Sequence, residues 1–401
     1  MALDLTKTAG QLYDAAPQFT AQRTAMLSAL ARAVSHLNSA DANAIETRRA
    51  QGKSTFLTAG LDGAINGAFP APPLTPDHVV VAVDGSHIDV DRHAPVRCFL
   101  INTGFVNLRY GELPDAALWN TPSLFVDEDT LSIRNPSGNQ EQAIEGPVLG
   151  MLRAVMEMEA LADLVEQSPP DLPVLALLDG SLILWGLAGG AFPDFVRDAL
   201  LKDRLLPALD RVRACGSGRT VAVASHVSLP RSSDVVNALR ISQPVCNHDQ
   251  VNCDLHCGAV KRGERNCDVI AGPTDAELFN ATLLPGERSP IFSTTSSIVE
   301  QHYGGHGVRF FYVHLGEEIA RVELPWWSAE GPSLDLVHAG LLTQAEKGHG
   351  YPVALQEAHE QAVVSGADRE YFTQIVEEML ASEHLPSSTS QKARSKRTRW
   401  V

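Results

Sequence analysis

Two Asp-Gly-Ser triplets are the residues of this chain whose types and positions most directly suggest chemistry. Asp84-Gly85-Ser86 ends the run VVVAVDGS and Asp179-Gly180-Ser181 ends the run VLALLDGS, so each triplet follows a segment with the composition of a buried strand. A carboxylate held where such a strand meets solvent can bind a divalent cation through its oxygens. The same triplet is also common turn chemistry, because glycine adopts positive φ and aspartate hydrogen-bonds the nearby backbone. The triplets alone leave both interpretations open.

A second group of potential ligands lies in the polar segment PVCNHDQVNCDLHCGAVKRGERNC. It contains four of the six cysteines of the chain, namely Cys246, Cys253, Cys257 and Cys267. In a cytoplasmic chain such clustering favours metal ligation over disulfides. The spacings match neither a zinc ribbon nor a bacterial ferredoxin, and His248 or His256 could replace a cysteine. Zinc, an iron–sulfur cluster and free thiols all stay open.

Composition indicates a globular protein without a membrane span. The 401 residues are 44% hydrophobic, and no run of eighteen apolar residues occurs. The N-terminal segment lacks the basic and apolar regions of a secretory signal, so we expect a cytoplasmic protein with no membrane contact. A net charge of −16 argues against a generally basic nucleic-acid-binding surface. The basic segment QKARSKRTRW near the C-terminus has the composition of a disordered tail.

The elements that must position these residues follow an α/β pattern. Apolar spacing predicts helix over residues 1–50, 139–166 and 193–214, and strands over 79–83, 97–111, 174–178 and 220–225, with Gly104 as a turn or bulge. Glu157 and Glu159 lie in the second of these helices. Alternation of helices with apolar strands indicates a sheet that is at least partly parallel. A polar stretch that ends near Asp77 is the best candidate for a boundary.

Two later segments complete the pattern. Residues 309–325 alternate as a β-hairpin about Gly316, and GYPVALQEAHEQA predicts a helix that opens near Tyr351 and Pro352. His359 lies in that helix. A single histidine among alanines is more often a packed or solvent-facing side chain than a ligand.

The order of these motifs resembles the NurA nucleases, a family of prokaryotic enzymes that process DNA ends. The resemblance rests on DGS, Arg153-x3-Glu157, LLDGS, the segment FFYV…EIARVELPWW and the final GYPVALQEAH. It spans roughly residues 75–375. It implies an RNase H-like mixed sheet flanked by helices, and here we expect an N-terminal helical arm and a Cys-rich insertion in addition. The implied domains are an arm and linker over 1–75, a NurA-like nuclease domain over 76–380 with the insertion at 244–270, and a basic tail over 381–401.

The resemblance also implies a set of metal ligands and catalytic residues. Asp84 matches the first-strand carboxylate, Glu157 the helical glutamate, Asp179 the second strand carboxylate and His359 the C-terminal histidine. Glu159 is the alternative to Glu157, because the sequence MEME leaves the register ambiguous. The family often has a lysine on the third strand where this chain has Ser225-His226. The cysteine segment is a further departure.

The implied function is hydrolysis of DNA phosphodiester bonds with Mn²⁺ or Mg²⁺. The family acts in double-strand break repair as a homodimer with a HerA-type hexameric ATPase, so these are the expected partners. The alternative is a non-catalytic adaptor that docks a DNA-translocating ATPase through its cysteine metal centre and basic tail. A phosphatase or sugar-kinase-like activity is disfavoured because no glycine-rich phosphate loop follows either triplet.

Overall fold

The computed structural model describes residues 3–90 and 96–384. Its strands are β1 Ala59–Leu61, β2 His78–Ile88, β3 Phe99–Tyr110, β4 Asp115–Phe125, β5 Ser132–Arg134, β6 Glu141–Ala143, β7 Val174–Asp179, β8 Val221–Val227, β9 Phe292–Thr294, β10 Val308–His314 and β11 Ile319–Pro325. Its α-helices are α1 Leu5–Ser39, α2 Ala42–Gln51, α3 Pro147–Gln167, α4 Asp194–Arg197, α5 Leu206–Cys215, α6 Asp234–Arg240, α7 Cys253–Cys257, α8 Asp275–Asn280, α9 Ser297–His302, α10 Gly331–Lys347, α11 Val353–Ala362 and α12 Gly366–Ser382. A π-helical segment over Asp198–Leu205 joins α4 to α5.

The chain forms two compact units. Among the described residues, the first unit contains 3–71, 227–296 and 309–322, and the second contains 72–90, 96–226, 297–308 and 323–384. The segment with the four cysteines therefore groups with the N-terminal helices, whereas the sequence-based division placed it with the residues that follow residue 75. From residue 385 the expected basic tail lies outside the described residues.

The second unit is built on strands in the order β4-β3-β2-β7-β8. β2 pairs antiparallel with β3, and β3 pairs antiparallel with β4. On its other side β2 pairs parallel with β7, and β7 pairs parallel with β8. The parallel crossover from β2 to β7 includes α3, because parallel neighbours need a long connection. This is a mixed sheet flanked by helices in a chain with an N-terminal helix, so the predicted α/β class is confirmed.

Apolar side chains of α3 anchor that helix to the sheet of the second unit. Val155, Met158 and Leu161 are fully buried and belong to the same core as Val81 on β2 and Ala176 on β7. The helix begins at Pro147, eight residues later than the sequence predicted, because 141–143 pair as β6 with β5. Gly146 adopts φ +54 before it, and proline is favoured at a first helical position.

The first unit packs the ends of α1 and α2 against α6. Ala33, Leu37 and Ile45 are buried with Val235 and Leu239. The predicted apolar stripe of the N-terminal helix is buried only toward its C-terminal end. Large side chains of its first half are exposed, among them Leu12, Tyr13 and Phe19. Within the described residues, no helix combines the length and hydrophobicity needed to cross a lipid bilayer.

Candidate active site

Asp84 lies inside strand β2 rather than at its end. The strand continues to Ile88 because β3 pairs with it along its whole length, with Asp84 opposite Gly104. The prediction that the strand ends before Asp84 is therefore wrong. Only 13% of the Asp84 side chain is exposed. The β2–β3 ladder continues before and after Asp84, so the backbone that carries this carboxylate is fixed.

Asp179 is the last residue of β7 and is exposed. The parallel register aligns Val83 with Leu178, so Asp84 and Asp179 follow that pair on the same face of the sheet. Restricted solvation raises the pKa of Asp179, and the nearby Asp84 carboxylate raises it further. Gly180 follows at φ +89, a conformation that favours glycine. The two triplet aspartates thus form one acidic pair.

Glu157 reaches this pair from α3. Its carboxylate is buried, accepts a hydrogen bond from the Gly85 backbone N–H, and lies 2.8 Å from Nη1 of Arg153. Gly85 is the residue that makes the approach possible, because a Cβ added there would lie 2.7 Å from Oε1 of Glu157. The absence of a side chain in the first triplet therefore brings a third carboxylate to the site.

Burial dominates the electrostatics of Glu157. It raises the pKa of the carboxyl group to about 8, a shift that Arg153 opposes and that the negative charges of Asp84 and Asp179 increase. Nη1 of Arg153 lies 3.7 Å from Oδ1 of Asp84 and also donates to the Gly85 carbonyl. One guanidinium therefore contacts two carboxyl groups, and Asp179 is the third acid of the cluster.

Glu159 does not belong to the site. Its two carboxylate oxygens lie 2.8 and 2.5 Å from Nε and Nη2 of Arg204. Residues two positions apart on an α-helix are separated by about 200° around its axis, so only one of Glu157 and Glu159 can face β2. The register that the sequence left open is thereby decided in favour of Glu157.

His359 comes to Asp84 from α11, and Gly104 explains how. Nδ1 of His359 lies 2.8 Å from Oδ2 of Asp84, while the imidazole remains 60% exposed. A Cβ on Gly104 would lie 2.5 Å from the Ala362 backbone nitrogen, so the glycine allows α11 to pack directly on β3. The sequence suggested that Gly104 is a turn or a bulge, and this prediction is wrong. Gly104 lies within one continuous strand, at a point where a helix approaches closely.

Tyr351 is a site residue that the sequence did not single out. Its hydroxyl forms a hydrogen bond with the Asp179 carboxylate. It also packs edge-to-face on His226, with ring centroids 5.2 Å apart. The available signal was its position immediately before Pro352, at the entry to the helix that carries His359.

The two triplet serines differ in their contacts. Oγ of Ser181 donates a 2.6 Å hydrogen bond to Oε2 of the buried Glu323, which also accepts the Leu182 N–H. Ser86 faces Asn102 across the β2–β3 ladder and is half-buried. The second triplet therefore anchors a turn, whereas the first lies within regular sheet.

The chemistry of the donor set fits a divalent cation. Three carboxyl groups are suited to Mg²⁺ or Mn²⁺, and an imidazole beside them shifts the preference toward Mn²⁺. In the part of the chain that the structure describes, however, no three histidine, cysteine, aspartate or glutamate side chains are arranged so that they could hold an ion. At this cluster the oxygens of Asp84 and Glu157 are instead engaged by His359 and Arg153.

The four cysteines lie close enough to influence one another. Burial raises the pKa of the Cys257 thiol, and Cys253, Cys267 and Cys246 each raise it further. The rings of His248 and His256, which lie between these cysteines in the sequence, stack with centroids 4.3 Å apart. All four cysteines are free thiols. The donor types suit zinc or an iron–sulfur cluster, but their arrangement in the described residues does not form a metal site.

Comparisons with known proteins identify one family. A family model described as the NurA domain matches residues 78–364. Solved structures similar to this chain include one described as a crystal structure of NurA, at 12% identity and a TM-score of 0.35, covering 77% of this chain and 90% of that one. A second, described as a crystal structure of NurA with manganese, has 11% identity and a TM-score of 0.35, and the match covers 78% of this chain and 91% of that one. A crystal structure of Drosophila Piwi has 10% identity and a TM-score of 0.28, and the match covers 73% of this chain and 30% of that one. A comparison with curated proteins finds no match.

Proposed function

Because the chain belongs to the NurA family of nucleases, we propose that its carboxylate cluster hydrolyses DNA phosphodiester bonds with Mn²⁺ or Mg²⁺. The observation that carries this proposal is the convergence of Asp84, Glu157, Asp179 and His359 from two strands and two helices. Buried charges in proteins are normally paired, whereas here the Arg153 guanidinium contacts both Asp84 and Glu157 while Asp179 adds a third carboxyl group beside them.

Each residue has a role that follows from its surroundings. Asp84, held rigidly in mid-strand, is the central ligand, and Glu157 and Asp179 complete the oxygen donors. A bound divalent ion would stabilise the charge that develops on the phosphate and lower the pKa of an attacking water. Since His359 donates through Nδ1 to Asp84, its Nε2 is the ring nitrogen that would hydrogen-bond the substrate or a water. Tyr351 orients Asp179 through its hydroxyl.

The biological setting is proposed from the family alone. We propose that the protein processes DNA ends in double-strand break repair, as a homodimer that works with a HerA-type hexameric ATPase. Copurification of the untagged ATPase with the tagged nuclease, together with light scattering of each and of their mixture, tests both parts. A nuclease that is strictly monomeric and does not retain the ATPase during copurification would contradict them.

We also propose that Cys246, Cys253, Cys257 and Cys267 bind zinc or an iron–sulfur cluster. Support comes from their mutual proximity and from helix α7, none of whose residues is buried. Protein purified anaerobically should contain stoichiometric zinc, or iron with visible absorbance, and Cys253→Ser should lose it while Cys215→Ser keeps it. Full-length protein without either metal would overturn this assignment.

The nuclease proposal is tested on linear DNA with purified protein. We expect cleavage that depends on added Mn²⁺ or Mg²⁺ and that Asp84→Ala abolishes. Glu157→Gln should reduce cleavage by roughly 100-fold or more, whereas Glu159→Gln, on the same helix, should stay within about twofold. Equal activity of the Asp84 variant and the wild type, with or without the ATPase, would refute the enzymatic function.

A further inference from the structure

His226 is a buried imidazole without a hydrogen-bond partner. It is fully buried on β8, and neither Nδ1 nor Nε2 contacts a donor or acceptor among the described residues. Burial lowers its pKa to about 4, so the ring is neutral near pH 7. Leaving polar ring atoms buried and unpaired is destabilising, and phenylalanine would pack in a similar volume without that cost. A buried unpaired polar atom in a native protein calls for an explanation, such as a bound ion, an ordered water or a catalytic role.

The position of His226 connects it to the carboxylate cluster. The β7–β8 register places it directly opposite Asp179, so both side chains lie on the same face of the sheet. The same row continues through Asp84 to Gly104 on β3. The ring of His226 also contacts Tyr351, whose hydroxyl binds Asp179. The unpaired imidazole is therefore next to the acids rather than elsewhere in the core.

His78 provides a matched comparison within the same unit. It too is a buried histidine on a strand, and its ring stacks on Tyr110 with centroids 4.8 Å apart. Its Nε2 is also unpaired, but its Nδ1 lies 2.8 Å from the Thr75 carbonyl, whereas His226 has neither nitrogen paired. His78 is the first residue of β2, six positions along the strand from Asp84. A buried histidine beside a tyrosine can thus be purely structural here, and the location of His226 is what distinguishes it.

We propose that His226 is a specificity-determining residue of the divalent metal site, which supplies a ring nitrogen on the Asp179 side and so favours Mn²⁺ over Mg²⁺. This inference rests on the proposed metal-dependent function. Imidazole nitrogen is a poor ligand for Mg²⁺ and an acceptable one for Mn²⁺, whereas carboxylates bind both. A site of three carboxylates and one additional buried nitrogen therefore discriminates between the two ions.

The test is equilibrium binding of Mn²⁺ and Mg²⁺ to the DNA-free, full-length protein. His226→Phe keeps an aromatic ring against Tyr351 and removes both nitrogens. It should weaken Mn²⁺ binding by roughly tenfold or more, leave Mg²⁺ binding nearly unchanged, and raise the Tm. His78→Phe should change neither affinity. An unchanged ratio of Mn²⁺ to Mg²⁺ affinity in His226→Phe would show that the ring acts only by packing and would overturn the proposal.

A spectroscopic signature separates direct ligation from indirect effects. Pulsed electron paramagnetic resonance detects the coupling of bound Mn²⁺ to a histidine nitrogen. In a His359→Gln background that coupling should persist, and it should disappear when His226→Gln is added. Its absence from His359→Gln protein that still binds Mn²⁺ would overturn the assignment. Failure of the wild-type protein to bind any Mn²⁺ would instead overturn the proposed function together with this inference.

Discussion

The two Asp-Gly-Ser triplets have identical residues and different structural roles. The first lies inside a paired strand, where Gly85 makes room for the Glu157 carboxylate. The second ends a strand, where Gly180 supplies positive φ and Ser181 binds Glu323. Only the aspartates share a role, since both contribute to one acidic cluster. The glycine of the first triplet thus leaves room for the Glu157 side chain, whereas the glycine of the second allows a turn.

Substitution of the two triplet aspartates should produce the largest losses of DNA cleavage. Asp84→Asn removes the central carboxylate and its hydrogen bond with His359, so we expect DNA cleavage to fall by about 1,000-fold or more. Asp179→Asn, at the exposed end of the cluster, should cost about 100-fold. Initial rates on linear DNA at saturating Mn²⁺ measure both. A larger loss for Asp179→Asn would reverse the order of importance assigned to the two triplets.

The glycines should separate activity from stability. In Gly85→Ala the new methyl group displaces the Glu157 carboxylate, so activity should fall by about 100-fold with a small change in Tm. In Gly180→Ala the positive φ is strained, which destabilises the fold by about 1–2 kcal/mol, while activity is largely retained. Parallel cleavage and thermal unfolding assays decide this. The pattern would be contradicted if Gly180→Ala lost activity while Gly85→Ala kept it.

Protonation of Glu157 makes stability depend on pH. Its pKa is raised to about 8 in the folded protein, so the folded state binds more protons than the unfolded state above pH 4.5, and stability falls as pH rises toward 8. Between pH 5.5 and 7 the metal-free wild type should lose about 2 kcal/mol relative to Glu157→Gln. Urea unfolding with a chelator measures the difference, with Glu159→Gln as the control. Parallel curves for wild type and Glu157→Gln would show that Glu157 ionises normally.

The serines should give the smallest effects. Ser181→Ala removes one hydrogen bond from the buried Glu323 and should destabilise the fold by about 1–2 kcal/mol. Ser86→Ala should change stability by less than about 0.5 kcal/mol. Chemical denaturation of the two variants under the same conditions provides the comparison. If Ser86→Ala were the more destabilising variant, the turn-anchoring role of the second triplet would be wrong.

The sequence contained much of the fold because buried parallel strands are nearly continuous apolar runs. The strands that lead into Asp84 and Asp179, the helix that carries Glu157 and the helix that carries His359 were all predicted, although the first strand runs on to Ile88. Which glutamate faces the sheet depended on register between elements, and this was decided only by the contact of Glu159 with Arg204.

Other site features could not be predicted because they depend on the packing of distant segments. Gly104 has the sequence signature of a turn, yet its role is set by a helix more than 250 residues later in the chain that approaches its Cα. The contact of His226 with Tyr351 likewise joins β8 to the segment before α11. Apolar periodicity identifies elements and faces, but it does not encode which faces meet.

Mn²⁺ binding by the DNA-free protein tests the central claim most directly, namely that the two triplets contribute to one metal site. Calorimetric titration of the wild type should show saturable binding that the double variant Asp84→Asn/Asp179→Asn loses, while Glu159→Gln retains it. Indistinguishable isotherms for the wild type and the double variant would contradict the account.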